Sequence, residues 1–168
     1  MINLMEVKTP YAISKLFSEA TVNQCTKNNL ILRLGSLIGP YMRENTLVKL
    51  MQQKTPKRYG LSKESCFNYV AYNQVYEFIT YAVNNELRGI YNIVNSQNVS
   101  FQEVISFFNI SAITGEFLYF AGNICNEKVN TALPMFRKSS LEVLQENIDN
   151  LMQGDIVNEI HASNTHIE

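Results

Sequence analysis

TPYAISKLFSEATVNQCTKNNLILRLGSLIGP, residues 9–40, reads as a helix followed at once by a strand. Thr9 can cap a helix whose first residue is Pro10, where a missing N–H costs nothing. Ile13, Leu16, Phe17 and Ala20 recur at i, i+3, i+4 and i+7, which predicts an amphipathic helix over residues 10–27. A turn at Asn28–Asn29 then leads into a nearly unbroken apolar run that ends in Gly39-Pro40. That is the pattern of a strand buried on both faces of a parallel sheet, predicted over residues 30–37.

Outward from this pair the alternation continues. ENTLVKLMQQ (44–53) reads as a short helix and KRYGLSKES (57–65) as a short strand running into a polar turn. Val75, Phe78, Ile79 and Ala82 form a second helical stripe, and RGIYNIV (88–94) is a strand. Ser100 and Glu103 form a capping box ahead of Phe101, Val104, Ile105 and Phe108. EFLYF (116–120) is a further short strand. A last helix begins near Ser140 with Leu141, Leu144, Ile148 and Leu151 on one face, and Gly154 is its stop. Helices alternating with strands predict an α/β fold. We read one domain over residues 1–154 and a frayed tail over 155–168.

Composition narrows the function. The net charge is −1, and no basic run is interleaved with aromatics, so nucleic acid is not an expected partner. The longest apolar runs are strand-sized, and MINLMEVK has no basic region followed by an apolar one. Neither a membrane nor a secretory route is therefore expected. Cys25, Cys66 and Cys125 are odd in number and widely spaced, which fits reduced thiols of a cytoplasmic protein. The two histidines, His161 and His166, fall in the tail. No metal site and no histidine-based acid/base chemistry is expected.

What remains is Tyr11 with Lys15. Residues four apart on a helix are neighbours, so the two share a face roughly opposite the apolar stripe. A tyrosine with a pKa near 10 is a weak base, and an adjacent ammonium favours its phenolate. Such a pair can move a proton while a hydride moves elsewhere. It can equally be an ordinary surface pair, and Tyr59 with Lys63 has the same spacing.

The surrounding residues separate the two pairs. Pro10, Tyr11, Ser14, Lys15 and Glu19, followed by Arg33, Gly39 and Pro40, resemble the catalytic helix and next strand of the NAD-dependent epimerase/dehydratase family, the extended short-chain dehydrogenase/reductases. KRYG, FNYVAYNQVYEFITYAV and GIYNIV resemble later segments of that family in the right order, so the likeness spans about residues 6–150. It implies the C-terminal half of a Rossmann-like parallel sheet, with a catalytic helix at 10–27, a strand at 30–37 and a small mixed α/β substrate-binding lobe over about 41–154. It implies that Tyr11 is the catalytic acid/base and that Lys15 binds the cofactor ribose. Leu34 and Leu37, after Arg33, would line the nicotinamide pocket. Ser36 stands where many relatives carry a substrate-contacting Asn, or it satisfies a local backbone group. Arg33 lines the pocket or is a structural cation. Phe67 and Asn73 replace an Arg and an Asp, leaving Lys57 or Arg58 to supply positive charge to the substrate.

The family's glycine-rich G-x-x-G-x-x-G turn has no counterpart among the seven glycines. The chain thus reads as starting inside the loop that enters the catalytic helix. The implied function is part of an NAD(P)-dependent nucleotide-sugar epimerase, dehydratase or reductase, with weak or no cofactor binding by this chain alone. The alternative is a non-catalytic interaction module derived from such an enzyme. The partners implied are a second copy, through the Tyr11/Lys15 helix, or a complementing N-terminal half.

Overall fold

The computed structural model describes residues 9–52 and 58–151. Lys57, Gly154, the tail and both histidines lie outside the described residues. The elements run α1 (Pro10–Cys25), β1 (Leu30–Leu34), β2 (Ser36–Ile38), α2 (Thr46–Met51), β3 (Cys66–Phe67), β4 (Tyr69–Ala71), α3 (Tyr72–Asn84), β5 (Gly89–Ile93), β6 (Val99–Ser100), α4 (Phe101–Phe107) and α5 (Glu127–Ala132). A 3-10 turn at Pro134–Arg137 precedes α6, residues 140–151.

β1 pairs in parallel with β5, Leu30 against Gly89 through Leu34 against Ile93. β2 pairs in parallel with β4, and β3 pairs antiparallel with β6. The architecture is mixed α/β with parallel strand pairs, as the alternating pattern implied.

The apolar run at 30–37 is two strands rather than one. The Gly35 N–H donates to Ile93 O at 3.0 Å, the last bond toward β5, and the Ser36 N–H donates to Asn68 O at 2.7 Å, the first toward β4. The backbone changes partner at Gly35, and a Cβ there would sit 2.7 Å from Asn68 O. Glycine is needed at the pivot because the β4 chain approaches too closely for any side chain.

Two apolar clusters divide the molecule. One gathers Val70, Phe78, Ala82, Ile93, Val129 and Phe136 beneath β1 and β5. The other joins Ile38, Leu47, Leu50, Val99, Phe101, Val104, Val143 and Leu144 around α2, α4 and α6. Phe78 meets Phe136 edge-on at 6.3 Å in the first, and Tyr59 meets Phe101 edge-on at 5.5 Å in the second. Phe67 stacks on Tyr69 at 5.6 Å and on Tyr119 at 5.2 Å. This packing explains an aromatic at position 67.

The capping box at Ser100 forms as read. The Ser100 hydroxyl accepts from the Glu103 N–H while the Glu103 carboxylate accepts from the Ser100 N–H at 2.7 Å. Ser139 and Glu142 repeat the box at the start of α6. Asn45 caps α2 by accepting from the Leu47 and Val48 N–H groups.

Several expectations need correction. α1 stops at Cys25, two residues early, where the Thr26 N–H closes on Val22 O. Its inner face is Ala12, Leu16 and Glu19, so Ile13 and Ala20 are exposed and Phe17 is 70% exposed. Strand β1 is half-buried rather than buried on both faces. EFLYF forms no regular strand: Leu61 meets Phe117 and Cys66 meets Phe120 only as isolated parallel bridges. The helix α5 and the 3-10 turn carry no strong periodicity, and their short lengths hid them.

Candidate functional site

α1 and β1 run in opposite directions, and their relative height is set by one ion pair. Arg33 Nε donates to Glu19 Oε1 at 2.8 Å and Arg33 Nη2 to Glu19 Oε2 at 2.6 Å, a two-pronged contact between strand and helix. Arg33 is therefore a structural cation. The guanidinium holds the Glu19 carboxyl below the usual carboxylate range, chiefly through these hydrogen bonds, and Glu19 in turn raises Arg33.

Tyr11 lies eight residues up α1 from Glu19, about 12 Å along the helix axis. Ser36 lies three residues beyond Arg33, about 10 Å along the strand. The ion pair thus carries Tyr11 and Lys15 to the level of the C-terminal end of β1, where open α/β sheets bind ligands. Thr9 accepts from the Ala12 N–H at 3.2 Å and Pro10 opens the helix, fixing its first turn. Tyr11 is 71% exposed, and Lys15 Nζ stands 5.4 Å from its ring centroid. The pair is brought together on an open face, with the phenol oxygen available to solvent or ligand.

The other expected residues sort differently. Leu34 is 45% exposed at the end of β1, whereas Leu37 packs into the cluster around Phe78. Ser36 is half-buried at the pivot, with its backbone N–H on Asn68 O. Arg58 is exposed in the other half of the molecule, bridged to Ile113. The twin pair at Tyr59 and Lys63 is not helical. Tyr59 is half-buried against Phe101, and burial pushes its hydroxyl above the usual tyrosine value.

An amide network next to the strand ends was not foreseen. Asn68 donates to Asn95 O at 2.9 Å and to Asn98 Oδ1 at 2.9 Å, and its Oδ1 accepts from the Asn95 N–H at 2.8 Å. Asn95 donates to Tyr69 O at 2.5 Å, and Gln74 donates to Asn95 Oδ1 at 3.0 Å. Gln74 Oε1 also accepts from the Ala71 N–H at 3.0 Å, which caps α3. The signal was present as amides beside apolar residues in FNYVAYNQV and IVNSQN, three in each stretch. The network walls one side of a 530 Å³ cleft that also includes Gln97, Asn123 and Cys125. A second cleft of 310 Å³ is bounded by Arg33, Asn92, Cys125 and Lys128. Among the described residues no group of three His, Cys, Asp or Glu side chains could hold a metal, and no helix is long and apolar enough to cross a membrane.

The Glu19–Arg33 pair predicts a pH dependence. Glu19 has a lower carboxyl pKa folded than unfolded, so its contribution is complete above the ordinary carboxylate range. That contribution disappears as the pH falls through the lowered folded value. Glu103, held low mainly by the Ser100 hydroxyl, adds to the same acid limb. Glu19→Gln should cost about 1 kcal/mol at neutral pH and flatten this limb. Urea melts from neutral pH to pH 3 check it, and an unchanged acid slope would refute the coupling.

No family model matches the chain, and no curated protein matches it in sequence. Solved structures do match. The UDP-glucuronic acid 4-epimerase of Bacillus cereus, in complex with UDP-glucuronic acid and NAD, superposes with a TM-score of 0.65 at 20% identity, over 90% of this chain and 56% of that one. The dTDP-4-dehydrorhamnose reductase of Yersinia enterocolitica gives 0.53 at 23% identity over 70% and 45%. RMD of Pseudomonas aeruginosa, complexed with NADPH, gives 0.58 at 14% over 80% and 56%. At these identities the likeness establishes the fold, part of a Rossmann-type α/β domain. The chain spans about half the length of each of these structures.

Proposed function

We propose that this chain supplies the catalytic helix and substrate lobe of an NAD(P)-dependent nucleotide-sugar epimerase, dehydratase or reductase. The observation that carries the reading is the Tyr11–Lys15 contact, held by Glu19–Arg33 at the C-terminal end of a parallel strand. The neighbours' bound NAD, NADPH and UDP-sugar support the ligand class.

The residues fit one end of the cofactor. Lys15 offers an exposed ammonium to a ribose hydroxyl, and Leu34 offers an exposed apolar surface to a flat ring. A pyrophosphate needs a glycine-rich strand-to-helix turn, and none of the described glycines makes one. A second half, on the same polypeptide or another, would supply it. When bound, the nicotinamide supplies hydride transfer. Tyr11 Oη gives or takes the proton at the sugar oxygen, and the Lys15 ammonium balances the negative charge that the phenol oxygen carries once deprotonated. Ser36 and Arg58 are assigned to the substrate side, Ser36 at the strand end and Arg58 from the lobe.

The isolated chain should therefore bind NAD only weakly, in the millimolar range or beyond. Titration calorimetry on the 168-residue chain tests this. A micromolar dissociation constant would overturn the division of the cofactor site.

One observation favours a second reading, a non-catalytic docking module. The outer surface of α1 exposes Ile13 and Phe17 together, one turn apart, as an apolar patch. The same face would seat a complementing half or a second copy in the enzyme. The two readings part at Tyr11: a module tolerates its replacement, and the enzyme does not.

A further inference from the structure

The amide-lined cleft beside the strand ends takes no part in the Tyr11 chemistry, and none of the residues assigned to cofactor or substrate lines it. Its walls are residues 95–98, which follow β5, and residues 122–125, which precede α5. Three side-chain bonds tie these walls, or their immediate neighbours, together. Asn98 Nδ2 donates to Gly122 O at 3.0 Å, Asn92 Nδ2 to Cys125 O at 2.9 Å, and Asn126 Nδ2 to Val94 O at 3.1 Å. Asn123 and Ile124 lie between the ties. Among the described residues their backbone groups have no hydrogen-bond partner, and neither does the Asn123 amide. The second wall is therefore fixed at both ends, while the groups between stay available. On the buried side, Asn68 and Asn95 are 4% and 2% exposed and are held by the amide network. Asn68 Oδ1 accepts one hydrogen bond, from the Asn95 N–H, of the two that an amide oxygen can take.

The lining selects a class of ligand. Five of its nine residues carry a carboxamide, and none is charged or aromatic. A phosphate or carboxylate meets no cation here, and a nucleobase meets no ring to stack on. A carboxamide offers N–H and C=O side by side, which suits neighbouring hydroxyls that each donate and accept. Ile124, 43% exposed, adds apolar surface for the C–H face of a ring. The volume of 530 Å³ lies within the range of about 300–1,000 Å³ typical of small-molecule sites.

We propose that this cleft binds a neutral saccharide ring. The exposed Gln97 and Asn123 amides reach it from the rim, and the fixed Asn68 and Asn98 amides meet it beneath. The walls are tied before the ligand arrives, so little backbone freedom is lost on binding. The site does not depend on Tyr11.

Cys125 reports on occupancy, because its exposed thiol lines the same cleft. Iodoacetamide alkylation of the full chain, followed by peptide mass spectrometry, should slow at Cys125 in the presence of glucose, galactose or mannose. Half-protection is expected at millimolar sugar, the affinity that one ring can reach. Cys25, exposed on α1, should alkylate at an unchanged rate. Gln97→Leu with Asn123→Leu, on exposed residues, should raise the half-protecting concentration at least about tenfold, with circular dichroism to verify the fold. Tyr11→Phe should leave it unchanged. No protection of Cys125 by any of the three hexoses, equal protection of Cys25, or protection that survives the double variant would each overturn the proposal. So would UMP protecting Cys125 at lower concentration than the hexoses, which would assign the cleft to a nucleotide.

Discussion

Tyr11→Phe should abolish turnover, by about 10²–10⁴-fold, once this chain is assembled with a glycine-rich cofactor-binding half. The substitution deletes one oxygen from a side chain that is 71% exposed and makes no hydrogen bond through that oxygen among the described residues. Surface substitutions of this kind change stability by no more than about 0.5 kcal/mol. The fold should therefore survive while the proposed proton acceptor is lost. Hydride transfer, followed by nicotinamide absorbance, is the readout, with circular dichroism to verify the fold. Turnover at the wild-type rate would refute the role given to Tyr11 and leave the docking module standing.

Asn95→Leu should produce the largest loss of stability. Leucine keeps the branched shape, with somewhat more bulk, but cannot accept from Gln74 or donate to Tyr69 O. It strands a buried amide N–H and a buried carbonyl, each costing about 1–3 kcal/mol. A total of about 3–5 kcal/mol is expected, a large share of the 5–15 kcal/mol that holds a typical domain together. The urea midpoint should fall with little change in slope. Asn123→Leu, on an exposed residue of the same cleft, should be nearly neutral. A loss below about 1 kcal/mol for Asn95→Leu would mean that the network contributes little.

Much of this was legible in the residues. Thr9 and Pro10 start α1, Ser100 with Glu103 starts α4, and the run after Asn29 is parallel β-structure, though in two strands rather than one, because each signal acts within a few residues. The Tyr11–Lys15 contact follows from helical spacing in the same way. The position of that pair did not follow, since it depends on Glu19 finding Arg33 across two elements. The outward turn of Phe17 was equally hidden. Periodicity tells which residues of a helix are apolar, and it does not tell which of them meet a neighbour.

The sequence by itself determined the alternation of helix and strand, the caps, and the juxtaposition of Tyr11 with Lys15, all of which arise from bonds within one or two turns. Only the tertiary structure decided the change of partner at Gly35, the Glu19–Arg33 clamp and the amide network around Asn95. Each depends on groups brought together from separate elements of the chain, and those approach distances belong to the packed molecule rather than to any local pattern.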